Sequence, residues 1–332
     1  GAKVGALGVK AFGTAVKTAM GPIGLALSAV AGLGAAFNTM KEIEFASAKF
    51  RTLGGDSDVL SNKLKLVAIE LNGAASVAEL TGAAYDVASA GFTDAADAAM
   101  ILKAASLGAT GGFTDINTSG GAAVKVLNAY GLEAKDAAAL MDKFAQTQAD
   151  GIITIGQYSQ NIGKVATTAA GLKVPLEEVN AVIAQSTAAG TNIETAFSGL
   201  NSALAKISSG QAGKKLGIDL NEATLKTEGL QGALAKLEGF STGELQEAFG
   251  IEAFKGIQVA IQDTEKLNKL IANQADSQGA AQDAAIIAAN TIQGAFKRVT
   301  NSFSNLFAEQ SELGAAIRIT LQGVSVVIDG LG

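Results

Sequence analysis

Apolar residues recur at three- and four-residue spacing along most of the chain, and the stretches they define open on helix-start signals. That combination predicts an almost wholly helical protein. Ser or Thr followed three residues later by Glu or Gln can satisfy the free N–H groups of a first helical turn reciprocally. Four such pairs stand ahead of Ala-rich stretches: Ser76/Glu79, Thr154/Gln157, Thr191/Glu194 and Ser241/Glu244. Pro175 ahead of Leu176-Glu177-Glu178 is a further start, with proline at the first helical position and acids complementing the helix dipole.

Glycines punctuate these stretches with a regular interval. Gly91-Phe92, Gly131-Leu132 and Gly171-Leu172 are 40 residues apart, and Gly217-Ile218 extends the series at a longer step. Within each unit a matched first-helix stretch (Asp97 to Ala104, Ala137 to Phe144, Glu177 to Ala184) is followed by a second start at Thr114, Thr154 or Thr191. A glycine then stands where a left-handed C-cap is wanted. The fold expected is all-α: a helical-hairpin bundle with about forty-residue repeats, flanked by long apolar or amphipathic helices. The Trp and Pro marks of tetratricopeptide repeats are missing, and a compact bundle describes three hairpins better than a solenoid does.

After Ile207 the pattern loosens. Gly210, Gly213, Gly217, Gly229, Gly232 and Gly239 cut it into short segments, and Ile218-Asp219-Leu220 with Thr224-Leu225-Lys226 alternates as a tiny strand pair would. Phe249-Gly250 precedes a long helical stretch to about Ala275. From Ala280 the chain reads as amphipathic helix, with Ile292, Phe296, Val299, Phe303 and Phe307 on one face. The domain limits expected are 1–44 (apolar N-terminal helices), 45–216 (core helical domain), 217–279 (Gly-punctuated extension) and 280–332. The start at Gly1-Ala2-Lys3 and the apolar end at Val326 to Gly332 read as those of a piece of a longer polypeptide.

Thr18 to Met40 is a run of 23 residues without a charge, long enough to span a bilayer. Two readings stand: a membrane-active segment, in which Ile23, Leu25, Leu27, Val30, Leu33 and Phe37 contact lipid, or a helix buried against other helices. Gly21, Pro22 and Gly24 interrupt its start.

Composition narrows the chemistry. The 332 residues are 48% hydrophobic but only 5% aromatic, with 40 Gly and no Trp, so the core is built from small side chains. Only two prolines occur, which leaves long stretches free to be helix. A net charge of −6, with Lys214-Lys215 and Lys297-Arg298 as the only adjacent basic pairs, argues against sequence-specific nucleic-acid binding. The absence of His and Cys excludes Ser-His triads, thiol nucleophiles, disulfides and most zinc sites. Gly210-Gln211-Ala212-Gly213-Lys214-Lys215 is too short for a phosphate loop and lacks the Ser or Thr after lysine. Asp56-Ser57-Asp58 opens like a calcium loop but has Leu60 at a ligand position, so a helix start fits better. Gly108, Gly111 and Gly112 read as a hairpin turn, and Asp94/Asp97 and Glu177/Glu178 as first-turn acids. No enzyme and no cofactor are expected.

An ordered series of segments from Phe45 to about Leu306 resembles the core region of phage tail tape measure proteins of the lactococcal siphophage type. It comprises Phe45-Ala46-Ser47-Ala48-Lys49-Phe50, Ala84-Tyr85-Asp86-Val87-Ala88-Ser89-Ala90-Gly91, Thr147-Gln148-Ala149-Asp150 with Thr154, and Ala166-Thr167-Thr168-Ala169-Ala170-Gly171-Leu172. The Gly190 turn, Phe197-Ser198-Gly199-Leu200 and Leu216-Gly217-Ile218 follow, and Glu247 to Phe254 resembles the family's Phe-Gly step before a helix. The long charged coiled coil that would do the measuring is missing, which places this region beside the ruler. The resemblance implies a virion protein in the tail lumen or tip, made in the host cytoplasm, that sets tail length and leaves the tube ahead of DNA. It implies as partners tail tube and tail-tip or baseplate proteins, assembly chaperones, further copies of itself, three in all, and the host membrane. The competing reading is a membrane-inserting, pore-forming helical protein.

Overall fold

The structure is a computed structural model that describes residues 39–309, and among these every regular element is a helix. Chain order runs α1 (39–52), α2 (Ser57–Glu70), α3 (Val77–Ser89), α4 (Ala95–Gly111), α5 (Ile116–Tyr130), α6 (Ala137–Asp150), α7 (Ile155–Asn161) and α8 (Ala166–Gly171). It continues with α9 (Leu176–Ala188), α10 (Ile193–Ser208), α11 (Gln211–Leu216), α12 (Glu222–Ala235), α13 (Thr242–Phe249), α14 (Ile251–Gln262), α15 (Thr264–Ala275), α16 (Ala280–Ala289) and α17 (Ile292–Glu309). The apolar stretch with Ile23, Leu25, Leu27, Val30, Leu33 and Phe37, and the chain after Glu309, lie outside the described residues.

Three of the four capping boxes form. Ser76 Oγ accepts from Glu79 N at 3.2 Å while Ser76 N donates to the Glu79 carboxylate at 2.8 Å. Thr154/Gln157 and Ser241/Glu244 repeat this geometry. The fourth does not form, because Thr191 N is already used, donating to Ser186 O at 3.0 Å to close the end of α9. Asn192 caps α10 instead, accepting from Glu194 N and Thr195 N, and Glu194 turns to Lys164 at 2.8 Å. Asp56, Asp94, Asp115 and Asp263 cap other helices by accepting first-turn N–H groups.

The forty-residue interval meets the turns unevenly. Gly91 (φ 104°) and Gly131 (φ 65°) are left-handed after α3 and α5, and in both turns the next residue's N–H reaches back to the helix. Gly171 is the last residue of α8, and the left-handed position falls on Lys173 (φ 59°), with Val174 N donating to Ala169 O at 2.9 Å. Left-handed backbone costs an L-residue about 1–2 kcal/mol that glycine avoids. Lys173→Gly is therefore expected to raise stability by up to about 1 kcal/mol, and Gly131→Ala to lower it by about the same. Urea unfolding midpoints check both.

Several local expectations are corrected. Residues 218–220 lead into α12 with no strand pair, since Asn221 caps that helix and takes up the backbone N–H groups of Ala223 and Thr224. The stretch after Gly250 is two helices, broken where Asp263 leaves helical geometry to cap α15. Gly108 and Gly111 lie inside α4, where a side chain would strike Met141 and Ser119 at Gly108 and Ala284 at Gly111, and Gly112 ends the helix. These glycines let α4 approach α5, α6 and α16 closely.

One hydrophobic cluster runs from Phe50 to Ala281. Its centre is α9, buried almost all round, which touches α6, α8, α10, α12, α14 and α15. The late helices return across the early ones: α14 crosses α10, α15 lies on α9, and α16 lies on α4 and α6.

Candidate functional site

The chemistry of this chain is concentrated inside the bundle, where polar side chains fasten segments far apart in sequence. Four residues from four helices form a directed chain of hydrogen bonds. Tyr158 Oη (α7) donates to Asn180 Oδ1 (α9) at 2.6 Å, Asn180 Nδ2 donates to Gln274 Oε1 (α15) at 3.0 Å, and Gln274 Nε2 donates to Thr147 Oγ1 (α6) at 3.2 Å. The Thr147 hydroxyl then donates to Lys143 O at 2.8 Å. All four side chains are buried, so each bond forms out of water, where an unpaired group would be expensive. The ring of Tyr158 packs between Phe144 and Phe197, with centroids at 4.4 and 5.6 Å. Burial pushes the Tyr158 phenol well above its ordinary range, which keeps it a neutral donor.

Three further clamps act on helix ends, where backbone groups lack intrahelical partners. Asp142 (α6) accepts from Gly279 N and Ala281 N at 2.9 and 3.0 Å, holding the N-terminus of α16. Gln185 (α9) donates to Val259 O and Asp263 O at 3.3 and 2.8 Å, taking the last carbonyls of α14. Glu178 (α9) accepts from Leu230 N and Gln231 N at 2.5 and 3.2 Å, where Gly229 (φ 73°) breaks α12 and starts a second N-terminus. Glu178 is thus more than the first-turn acid its position suggested. Burial raises its pKa, against the pull of those two N–H groups.

These shifts set a pH dependence. Asp115 is held low by the Thr118 hydroxyl, Asp94 by the Asp97 and Ala96 N–H groups, Glu194 by Lys164 and Glu244 by Ser241. A carboxylate with a depressed folded pKa contributes stability above its unfolded value, near 4. That contribution disappears as pH falls through the folded value. Glu178 has the opposite sign: its contribution is complete below the unfolded value and is lost as pH rises through the raised folded one. Urea midpoints measured from pH 7 down to 3 are expected to fall at the acid end. The fall should be shallower in Asp115→Asn, and Glu178→Gln should lose the opposing trend.

A cleft of about 470 Å³ opens between the end of α12 and the α14–α15 corner, lined by Glu238, Phe240, Leu245, Phe254, Ile261 and Asp263 among others. Its carboxylates are engaged structurally: Asp263 accepts from Lys266 N, and Glu238 accepts from Thr264 Oγ1. Among the described residues no group of three or more acidic side chains is placed to hold a metal ion, and no helix is long and apolar enough to cross a membrane. The arrangement holds helices in register.

The repeat glycines Gly91, Gly131 and Gly171 mark turns at the edge of this network and contribute nothing to its hydrogen bonds. Sequence reasoning missed Asn180, Gln185 and Gln274. The available signal was a set of amides on otherwise apolar helix faces, Val179-Asn180 with Val182-Ile183-Ala184-Gln185 being the clearest.

The sequence profile of phage-related minor tail proteins matches residues 67–316, three quarters of the chain. The chain belongs to the phage-related minor tail protein family. Among curated relatives, the probable tape measure protein of Clostridium phage phiCD119 is 31% identical over 157 residues, covering 46% of this chain and 16% of that protein. The tape measure protein of Pneumococcus phage Dp-1 is 25% identical over 287 residues, covering 80% of this chain and 24% of that protein. This minor tail protein therefore spans a quarter or less of the length of these relatives. No solved structure matches it. The resemblance to tape measure proteins is sustained, and with it a place among the structural proteins of the phage tail.

Proposed function

We propose that the longer protein to which this region belongs sets tail length during assembly and leaves the tube ahead of DNA, and that the described bundle is its compact anchoring unit in the tail lumen or tip. The supporting observation is closure. Residues 39–309 share one core, and hydrogen bonds such as Gln274 to Thr147 tie positions 127 residues apart. As one continuous helix the same residues would reach about 400 Å, whereas a compact chain of this size has a radius of gyration of about 18 Å. A folded body of that kind suits a fixed attachment, and the measuring falls to other parts of the protein. Forty-residue hairpins are, on this reading, the repeated element from which the anchor is built.

The partners in this proposal are tail tube and tail-tip or baseplate proteins, assembly chaperones and other copies of the protein, three in all. Ile23, Leu25, Leu27, Val30, Leu33 and Phe37 contact the host membrane during ejection, which flotation of the 18–40 segment with liposomes tests directly.

Expulsion is tested on virions. Peptides from residues 39–309 should be present and protease-protected in intact particles, and lost from the tail once DNA release is triggered. Retention in emptied tails contradicts the proposal.

A further inference from the structure

The last described helix is oriented against its own pattern. An amphipathic helix at the edge of a bundle ordinarily turns its apolar stripe inward. In α17 the inward residues are polar: Asn301 is buried and donates to Gly73 O at 3.1 Å and to the Glu79 carboxylate at 3.2 Å, and Lys297 pairs with Glu79 at 3.5 Å. The backbone of Arg298 lies so close to Gly73 that a Cβ there would sit 3.1 Å from its carbonyl oxygen. Phe296 and Val299 face solvent, 74% and 53% exposed. Two large apolar side chains one turn apart on an outer face are an unfilled contact surface.

We propose that this face of α17 docks in parallel along the same helix of a second copy of the chain. The spacing names the occupant. Ile292, Phe296, Val299, Phe303 and Leu306 follow one another at intervals of four, three, four and three, and in sequence the same register continues through Leu313 and Ile317 to Val327. A 3.5-residue repeat kept over several heptads is the pattern of helices that wind around an equivalent partner. The positions flanking the seam, Gln293, Ala295, Thr300 and Ser302, are neutral, so two identical helices meet without like-charge repulsion. Lys297 and Arg298 lie off the seam, on the side already turned to the bundle. The chain's own uncharged segment, Thr18 to Met40, has 23 residues and matches little more than half of the 292–331 register. Gln310 and Thr320 are the polar members of that register, and a parallel alignment sets each against its own equivalent.

The inference deepens the self-association proposed above and rests on it for its setting in the tail. It is tested on the purified chain, while length control and expulsion are read on virions, so either can fail alone. Because the 332-residue chain contains no Cys, a single Val299→Cys substitution reports the contact cleanly. Mild oxidation should give a disulfide-linked dimer at least roughly tenfold faster than Thr227→Cys, an exposed control on α12, since docking raises the local thiol concentration. Sedimentation of the unmodified chain should show concentration-dependent association that Phe296→Glu with Val299→Glu abolishes, helical circular dichroism being retained. A monomer at all concentrations overturns the proposal. Cross-linking no faster than the control does so too, as does an intrachain disulfide in Leu27→Cys/Val299→Cys, which identifies the N-terminal segment as the occupant.

Discussion

Gly256→Ala is expected to destabilise the bundle by about 3 kcal/mol, as overpacking a closely fitted interface does when no side chain can move aside. Gly256 on α14 and Gly199 on α10 meet where the two helices cross. A Cβ at Gly256 would lie 2.4 Å from Gly199 C and from Leu200 N, and one at Gly199 would lie 2.7 Å from Glu252 O. The obstructing atoms are backbone, so relief requires the helices to separate. Separation would draw apart Phe197, Leu200, Ala253 and Ile257, all buried in the same core. Gly82→Ala is the matched control: Gly82 is exposed within α3 with nothing near its missing Cβ, and the change should stabilise by about 0.5–1 kcal/mol through helix propensity alone. Urea unfolding of both variants gives the comparison, and a small loss at Gly256 would mean the crossing is looser than described.

Asn180→Leu is expected to cost a similar amount by a different mechanism. The leucine leaves the Tyr158 hydroxyl and the Gln274 carbonyl oxygen buried without partners, at about 1–3 kcal/mol for each orphaned group. Tyr158→Phe removes one donor and should cost less, about 1–2 kcal/mol. Because the residues act as one network, Asn180→Leu with Gln274→Leu should destabilise by less than the sum of the single changes. Additive losses would show that the bonds act independently.

What was legible in the sequence was what is decided locally. Ser76, Thr154 and Ser241 cap their helices as their spacing predicts, since a box needs only four consecutive residues. Thr191 failed for a reason equally local but hidden, its N–H being claimed by the preceding turn. The same holds for the third turn of the repeat, where Gly171 stays helical and Lys173 takes the left-handed position. The network itself was not legible. Asn180 meets Gln274 across 94 residues, and Asp142 meets Gly279 across 137, so no window of sequence contains either pair. For α17 the stripe was readable and its direction was not, because the side that faces inward is selected by Gly73 and Glu79, more than 200 residues earlier.

Contact by polar side chains on helix ends, and by glycines at helix crossings, makes the bundle a cooperative unit. Removing part of it should abolish the whole unit. The most direct test is the tail-length distribution, by electron microscopy, of phage whose full-length gene carries an in-frame deletion of residues 132–171. Loss of α6, α7 and α8 removes Thr147, Phe144 and Tyr158 from the core, and the account predicts that tail yield collapses without a discrete shorter class. A normal yield of tails uniformly shorter by about 60 Å, the length of forty residues as extended helix, would contradict it and make this region part of the ruler.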